Sequence, residues 1–240
     1  MKRKQRTPTF SLPNSADKKY YVQHMFDTIA PRYQIMNTII TFGLDRYWRK
    51  KALSKLVIPE NSLILDLASG PGELADLLGS RGHRMISLDI SREMLLANRR
   101  NKTPKVQADC ELLPFPEETF DTLVSAFGMR NFPDLSRAFA EVSRVVKPGG
   151  SVFFMDISQP RAVVFRSIHK FYFNNIVPLL GAVLSSKSAY KYLPESIAYL
   201  PSQYEIIKLL EQHNIENVSH TSYTFDTVQA FIGVRSRKHL

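Results

Sequence analysis

The chain has 240 residues, 44% of them hydrophobic and 22% charged, which suits one large α/β domain with a buried core and excludes a mostly disordered protein. A single cysteine, Cys110, excludes an internal disulfide framework and a cysteine-rich zinc site, and no metal is expected. No apolar run reaches about 18 residues, so no membrane span is expected, and the basic start lacks the apolar stretch of a secretory signal.

The formal net charge is +10, and most of it lies near the two ends of the chain. Residues 1–19 carry a net charge of +5, and the last seven residues carry +3. Basic ends suit anionic lipid head groups or nucleic acid, but charge that only keeps the protein soluble explains them equally well.

The first 17 residues combine Pro, Ser and Asn with basic residues, which predicts a flexible basic tail over 1–17 and a single domain over 18–240. An N-terminal helical layer is predicted over 18–56. From Ser62 onward, short apolar runs alternate with helical patterns, which indicates a parallel sheet with helices on both faces. Strands are predicted at Leu63–Leu67, Met85–Ile90, Val106–Ala108, Thr122–Phe127 and Val152–Ile157, and helices at Glu73–Ser80, Arg92–Arg100 and Asp134–Val146.

Asp134 is predicted to cap its helix, and Lys147-Pro148-Gly149-Gly150 to end that helix and turn the chain. Residues 159–200 are rich in aromatics and leucine and are predicted to be a helical insertion that covers a substrate pocket. Breakers are expected at Pro178, Pro194 and Pro201. A helix at Gln203–His213 and an antiparallel hairpin, Val218–Phe225 with Val228–Val234, complete a mostly parallel, seven-stranded α/β sheet.

The sharpest motif joins the first strand to the first helix of the sheet. The strand ends in Asp66, and the turn Gly70-Pro71-Gly72 follows. Its glycines let the backbone come close to a ligand without Cβ clashes. No Gly-Lys-Ser/Thr follows, so this is not a P-loop, and Ala75 breaks the dinucleotide pattern G-x-G-x-x-G.

Two further acids follow the next two strands. Asp89, which precedes Ile90, could accept hydrogen bonds from both ribose hydroxyls, or it could be a helix cap. Asp109, which precedes Cys110, could bond an adenine amino group. Acids at successive strand ends fit a nucleoside without phosphates, such as S-adenosylmethionine (SAM), whereas the pyrophosphate of NAD would meet Asp66 unfavourably.

Three longer segments are more specific. The first segment is Phe26–Arg49, which contains Tyr33, Met36, Asn37, Thr41 and Trp48. The second is Phe127-Gly128-Met129-Arg130-Asn131, and the third runs from Arg144 to Ser158. With these segments, the stretch Phe26–Ile157 resembles the ubiquinone/menaquinone biosynthesis C-methyltransferase family, a family of class I SAM-dependent methyltransferases. Weaker similarity continues to about Val234.

The chain departs from the family pattern at several polar positions. Gln34 stands where the family has Asp, Asp45 where it has His, and Ile232 where a His precedes a basic residue. Asp156 replaces the usual Glu. These departures leave SAM binding intact and put the exact substrate in question.

The resemblance implies a Rossmann-like class I methyltransferase fold and C-methylation of a prenylated quinol, with demethylmenaquinol converted to menaquinol and SAM to S-adenosylhomocysteine (SAH). It implies cofactor contacts from Asp66, Gly70, Pro71, Gly72, Asp89, Ile90, Asp109, Cys110 and Ala126. Implied substrate contacts come from Tyr33, Met36, Asn37, Trp48, Arg130 and Asn131.

Catalytic roles follow from the same resemblance. Arg130 would stabilise a forming phenolate, Asn131 would hold the second ring oxygen, and Tyr33 would orient the ring. Asp109, or a water that it holds, would take the proton. Plainer readings stay open: Met36 and Trp48 as core residues, and Arg130 as a surface ion-pair residue.

A prenylated quinol lies in the bilayer, so cytoplasmic placement with peripheral contact at the inner face of the membrane is expected. The apolar run Phe171–Leu184 and the basic tails offer such a surface, unless Ile176, Leu179, Leu180 and Val183 form a buried helix. A homodimer stays open, and no nucleic acid is expected. The rival readings are a SAM-dependent methyltransferase of RNA or another small molecule, and a non-catalytic SAM-fold scaffold.

Overall fold

The computed structural model describes residues 15–184 and 187–237. Most of the predicted tail, residues 1–14, lies outside this part of the chain. The first helix, α1, covers Ser15–Ile29, so the last three residues of the segment predicted as a tail are helical. The tail prediction is therefore too long at its C-terminal end.

Seven strands form one sheet in the order β3-β2-β1-β4-β5-β7-β6. The first five in this order are parallel, while β7 runs antiparallel to both β5 and β6, which confirms the predicted fold class. The strands are β1 Leu63–Leu67, β2 Arg84–Asp89, β3 Lys105–Gln107, β4 Phe120–Ala126, β5 Val146–Ile157, β6 Ile215–Tyr223 and β7 Val228–Arg235.

The described helices lie between these strands and in two further groups, one before the sheet and one after β5. After α1, they are α2 Tyr33–Ile40, α3 Leu44–Leu53, α4 Glu73–Gly79, α5 Arg92–Ala97, α6 Leu135–Val145, α7 Val163–Phe171, α8 Val177–Leu184, α9 Lys187–Tyr199 and α10 Gln203–Gln212. Two 3₁₀ turns, Ala30–Arg32 and Met129–Asn131, and a π-helical segment, Tyr172–Ile176, complete the set.

Local signals explain several element ends. Asp134 caps α6 as predicted, because its carboxylate accepts the backbone N–H groups of Ser136 and Arg137 at 2.8 and 3.2 Å. Ser202 and Glu205 form a reciprocal capping box at the start of α10. These caps satisfy N–H groups that have no partner within their own helix.

Of two predictions about chain breaks, one holds in part and one is wrong. Helix α6 ends at Val145, next to the predicted stop, but residues 147–150 form an irregular part of β5, where the pairing with β4 shifts between Val146 and Ser151. Gly149 has φ +80, a conformation that lets the chain bulge and rejoin the sheet. Pro194 lies inside α9, since burial of Tyr192 and Ile197 on either side outweighs the lost backbone hydrogen bond.

A third hydrophobic cluster joins the N-terminal helices to the insertion after β5, apart from the two clusters that pack on the sheet. Side chains of α1 and α2, including Val22 and Ile40, meet Phe173, Val177 and Tyr192 there. The segment predicted to cover a substrate pocket therefore packs against the predicted N-terminal layer. No helix in the described ranges is long and apolar enough to span a membrane.

Candidate functional site

Two cavities adjoin near the carboxyl ends of the parallel strands, where open α/β sheets bind ligands. Together with the solvent space at their openings, the first takes in about 760 Å³ and the second about 1200 Å³. Tyr33 and Phe127 line both cavities. Phe127 has φ +64, an uncommon conformation for a residue with a Cβ and one that clusters at functional sites.

Asp89 ends β2 and faces the first cavity. Its Oδ2 accepts the N–H of Gly70 at 2.8 Å, and its Oδ1 accepts the N–H of Ser91 at 2.9 Å. Burial raises the pKa of Asp89 to about 6, so the group is ionised at neutral pH. Each oxygen keeps a lone pair for a further donor, such as a ribose hydroxyl.

The two glycines of the turn after β1 have different roles. Gly70 and Pro71, both predicted as cofactor contacts, line the first cavity. Gly72, at φ +85, packs instead against Asn101, whose Nδ2 donates to the Gly72 carbonyl at 3.1 Å. A Cβ on Gly72 would lie 2.2 Å from that nitrogen, so this glycine is needed for packing.

Asp66 lies behind the turn and is absent from the described lining of the first cavity. Its Oδ2 accepts the N–H of Ala75 at 3.1 Å, in the first turn of α4. Burial raises the pKa of Asp66 to about 8, despite this hydrogen bond. The structure thus gives Asp66 a role in joining β1 to α4, where the sequence predicts a cofactor contact.

The first cavity is also lined by four further residues that were predicted as cofactor contacts: Ile90, Asp109, Cys110 and Ala126. Asp109 Oδ1 accepts the N–H of Glu111 at 3.0 Å, and its Oδ2 forms an ion pair with Lys19 Nζ at 2.6 Å. Burial raises the pKa of the Cys110 thiol well above its usual range, so the thiol stays protonated.

Lys19 is a site residue that sequence analysis missed. It lies on α1 and lines the first cavity, and its hydrogen bond to Asp109 raises its pKa. The sequence counts it only among the charges of the N-terminal segment, because nothing local indicates that α1 returns to the end of β3. Asp27, also on α1, accepts a hydrogen bond from the Ser91 hydroxyl at 2.5 Å.

Arg130 lines the second cavity and is 8% exposed, which excludes the reading as a surface ion-pair residue. Its Nη1 donates to the Phe127 carbonyl at 2.6 Å and to Asp156 Oδ1 at 2.5 Å. Asp156 is fully buried, and its Oδ2 accepts the backbone N–H of Arg130 at 2.9 Å. The Asp156 carboxylate therefore holds both the backbone and the guanidinium of Arg130.

Asn131 follows Arg130 but faces the first cavity. Its Oδ1 is buried without a hydrogen-bond partner among the described residues, so it can accept a hydrogen bond from a ligand. This placement differs from the predicted contact with a substrate ring, because the larger apolar space belongs to the second cavity.

Some of the substrate contacts predicted in the N-terminal layer line the second cavity, and one lies in the core. Tyr33, Asn37 and Trp48 line the second cavity, and Trp48 Nε1 donates to the Thr224 hydroxyl at 2.8 Å. Burial raises the pKa of Tyr33, whose hydroxyl hydrogen-bonds with the Asn37 side chain. Met36 is 1% exposed and lies in the third hydrophobic cluster, which favours its reading as a core residue.

The second cavity is mostly apolar and opens through an apolar rim. The rim includes Phe42 and Phe225, which are 79% and 66% exposed, and Ile168, which is 60% exposed. Phe225 stacks on Phe165 with ring centroids 4.1 Å apart. Helix α7 and the π-helical segment therefore line the cavity and also reach the surface.

Of the predicted membrane-facing run, Phe171 and Leu179 are each 63% exposed, whereas Phe173 and Val177 are buried. Leu180 packs against the third hydrophobic cluster, and the side chain of Val183 lies outside the described part of the chain. The run thus has an exposed side and a buried side.

The residues of the first cavity fit SAM. Asp89 offers acceptors for ribose hydroxyls, and Asn131 has a buried oxygen without a hydrogen-bond partner among the described residues. Within the described ranges, no group of three or more His, Cys, Asp or Glu side chains could hold a metal.

The strand order, the antiparallel β7 and the site at the ends of β1, β2 and β3 define a class I SAM-dependent methyltransferase. The sequence model of the ubiE/COQ5 methyltransferase family matches residues 14–235, and the chain belongs to this family.

Similar proteins agree with this assignment. The ubiquinone/menaquinone biosynthesis C-methyltransferase of Geotalea daltonii is 36% identical over 235 residues, covering 93% of this chain and 99% of that protein. The demethylmenaquinone methyltransferase of Lactiplantibacillus plantarum is 34% identical over 230 residues, covering 90% and 97%. A SAM-dependent methyltransferase structure from Thermotoga maritima shares the fold, with 16% identity and a TM-score of 0.66 over 89% of this chain and 99% of that chain.

Proposed function

We propose that this enzyme transfers the methyl group of SAM to a ring carbon of a prenylated quinol, and that demethylmenaquinol is its substrate. The observation that carries the proposal is the large apolar cavity with Arg130 in its wall, which shares Tyr33 and Phe127 with the first cavity. The names of the relatives from Geotalea daltonii and Lactiplantibacillus plantarum support the same substrate class.

Residues of the first cavity would hold the adenosyl group. Asp89 would accept from the ribose hydroxyls, and Asp109, held by Lys19, would face the base together with Ile90 and Cys110. The sulfonium of bound SAM supplies the methyl group. Tyr33 and Phe127 line both cavities and would therefore flank the place where cofactor and substrate meet.

Arg130 would favour ionisation of the quinol. A ring hydroxyl has a pKa of about 10, like tyrosine, and lowering it by about two units contributes roughly 3 kcal/mol. A guanidinium in a low-dielectric cavity stabilises the phenolate and so activates the adjacent ring carbon. Asp156 holds the guanidinium in place, and Tyr33 would orient the ring.

The proton acceptor requires a different assignment from the one predicted from sequence. Asp109 lines the first cavity and is paired with Lys19, so it is not placed to receive a proton in the second cavity. Asp45 and His169 line the second cavity, but Arg49 holds Asp45. We assign the proton of the quinol hydroxyl to His169, because its Nε2 is buried at this cavity without a hydrogen-bond partner among the described residues. Burial lowers the pKa of His169 to about 4, so the ring is neutral at pH 7 and would pass the proton on to solvent rather than keep it.

The apolar rim of the second cavity suits contact with a bilayer surface. Phe42, Phe225 and Ile168 surround the opening, and Val164 and Phe171 extend the exposed apolar surface along α7. A prenylated ring could then enter from the membrane while its tail stays in lipid. We also propose that the protein contacts the cytoplasmic face of the membrane peripherally, whereas a homodimer stays a prediction.

One competition experiment tests the function. The protein is incubated with methyl-labelled SAM and, together, reduced demethylmenaquinone, a reduced demethoxy-type benzoquinone and bulk RNA. We expect label in the naphthoquinol, and none when its quinone is left oxidised, because the nucleophile is then absent. Label in RNA, or binding of SAM with no labelled quinol, would support the rival readings.

A further inference from the structure

A buried chain of three charged side chains, Asp45–Arg49–Glu73, lies between the two cavities. Arg49 Nη1 pairs with Asp45 Oδ2 at 2.6 Å, and its Nη2 pairs with Glu73 Oε2. Asp45 is 3% exposed and Arg49 is 6% exposed. The Arg49 guanidinium carbon also lies 4.9 Å from the centre of the Phe127 ring, which lines both cavities.

The chain of charges reaches both cavities. Asp45 lines the second cavity, whereas Arg49 and Glu73 line the first. Glu73 begins α4 directly after the glycine turn. The second oxygen of Asp45 accepts the Thr41 hydroxyl at 3.1 Å, so both oxygens of this carboxylate are engaged.

These side chains offer a positive and a negative group to the same cavity. Arg49 and Glu73 are adjacent there, next to the Gly70-Pro71 turn and away from the Lys19–Asp109 pair assigned to the base. The end of SAM opposite its adenosyl group is an α-amino acid, which carries one carboxylate and one ammonium. A guanidinium recognises a carboxylate through two parallel hydrogen bonds, and a carboxylate recognises an ammonium.

We propose that Arg49 and Glu73 bind the carboxylate and the ammonium of the amino-acid end of SAM, and that Asp45 is a positioning residue that fixes Arg49. The proposal rests on the proposed function only through SAM binding. It also bears on one departure from the family pattern, since an acid at position 45 forms an ion pair with Arg49 where a neutral histidine could offer only a hydrogen bond.

Calorimetry with two ligands tests the proposal. SAH has the amino-acid end, whereas 5′-methylthioadenosine has the adenosyl and thioether groups and lacks that end. We expect Arg49→Met to weaken SAH binding by about tenfold to a hundredfold, the range for a charge-assisted pair, with methylthioadenosine binding changed less than about threefold. Asp45→Asn should weaken SAH by about threefold to tenfold, with the same selectivity.

The control is Lys51→Met, which removes an exposed charge from the same helix and should alter neither affinity. Equal weakening of both ligands in Arg49→Met would show that the charged chain only supports the cavity wall, and unchanged SAH binding would remove the contact altogether. If Arg49→Met does not fold, Arg49→Lys is used for the same comparison of SAH and methylthioadenosine binding. This variant keeps the positive charge but loses the guanidinium that donates two parallel hydrogen bonds. Methylation of quinol by the parent protein is scored separately, so failure of the quinol assignment is distinguishable.

Discussion

Three aspartates that follow or end neighbouring strands have different tasks because their surroundings differ. Asp89 accepts two backbone N–H groups and faces the first cavity, whereas Asp109 forms an ion pair with Lys19. Asp66 is buried behind the glycine turn, where it accepts the N–H of Ala75. Their positions along the sequence are equivalent, each at or just after a strand end. Sequence analysis therefore predicted cofactor contacts for all three, and only burial and partner identity separate Asp66 from the others.

Replacement of Asp66 by Asn should change the pH dependence of stability and leave cofactor binding nearly intact. Burial raises the pKa of Asp66 to about 8, so its contribution is fully present below about pH 4 and is lost as pH rises through 8. Each pH unit in that range removes up to about 1.4 kcal/mol of unfolding free energy. Urea unfolding at pH 5 and pH 8 should show a smaller decline in Asp66→Asn than in the parent.

Other buried acids, including Asp89, titrate in both proteins, so the difference between the two declines isolates position 66. Equal declines would contradict the buried, protonated carboxyl described above. SAH binding within about threefold of the parent is also expected, since Asp66 lies behind the turn; a loss of tenfold or more would return it to the cofactor site.

Arg130 and His169 lead to a paired kinetic prediction. Arg130→Met removes the cation proposed to stabilise the phenolate, and His169→Phe removes the proposed proton acceptor, so each should lower kcat by about a hundredfold or more. Binding of SAH should change less than about threefold, because neither side chain lies in the first cavity. Initial rates at saturating reduced demethylmenaquinone measure the effect.

The matched controls keep the same chemical changes away from the cavity. Arg137→Met removes an exposed arginine of α6, and His220→Phe removes a half-buried histidine of β6 whose pKa is also lowered by burial. Both should retain kcat within about threefold. If His169→Phe raises KM while kcat is unchanged, the side chain only lines the cavity and the proton goes elsewhere.

At the scale of elements, the sequence predicts the sheet well and the contacts between distant elements poorly. Apolar runs bounded by turns locate all seven strands, and burial on both faces dictates the composition of central strands such as β1 and β4. Gly149 and Pro194 misled the prediction, since a bulge and tertiary packing absorbed residues that usually end elements. The Lys19–Asp109 pair depends on α1 meeting the end of β3, which local sequence does not encode.

The same limit applies to Arg49. It stands in a segment that resembles the family, yet spacing alone does not reveal that it joins Asp45 to Glu73 or lies on Phe127. Helical spacing places Asp45 and Arg49 on one face, but only the folded chain brings Glu73 from another helix. Residues that recognise a ligand through a network of buried charges are thus harder to predict than those in a turn motif.

For the molecule as a whole, the opening of the apolar cavity and the exposed face of α7 lie together. Val164, Ile168 and Phe171 recur at helical spacing and are 60–68% exposed, unusual for large apolar side chains unless they meet a partner. Because Ile168 also lines the second cavity, a surface that docks on lipid would bring the opening to the bilayer. Substrate supply and membrane contact would then share one surface.

Co-sedimentation with vesicles tests this arrangement. The parent should bind vesicles that contain anionic lipid. The double variant Val164→Ser/Phe171→Ser should bind at least about tenfold less, because each apolar side chain that becomes buried in the lipid contributes about 1.5–3 kcal/mol. Neither residue is in the described lining of the second cavity, so turnover of a short-chain, water-soluble quinol should be retained. Tyr204→Ser, an exposed aromatic on α10, serves as the matched control. Binding that survives the double variant but disappears at high salt would assign membrane contact to basic residues, and the apolar face would then need another role.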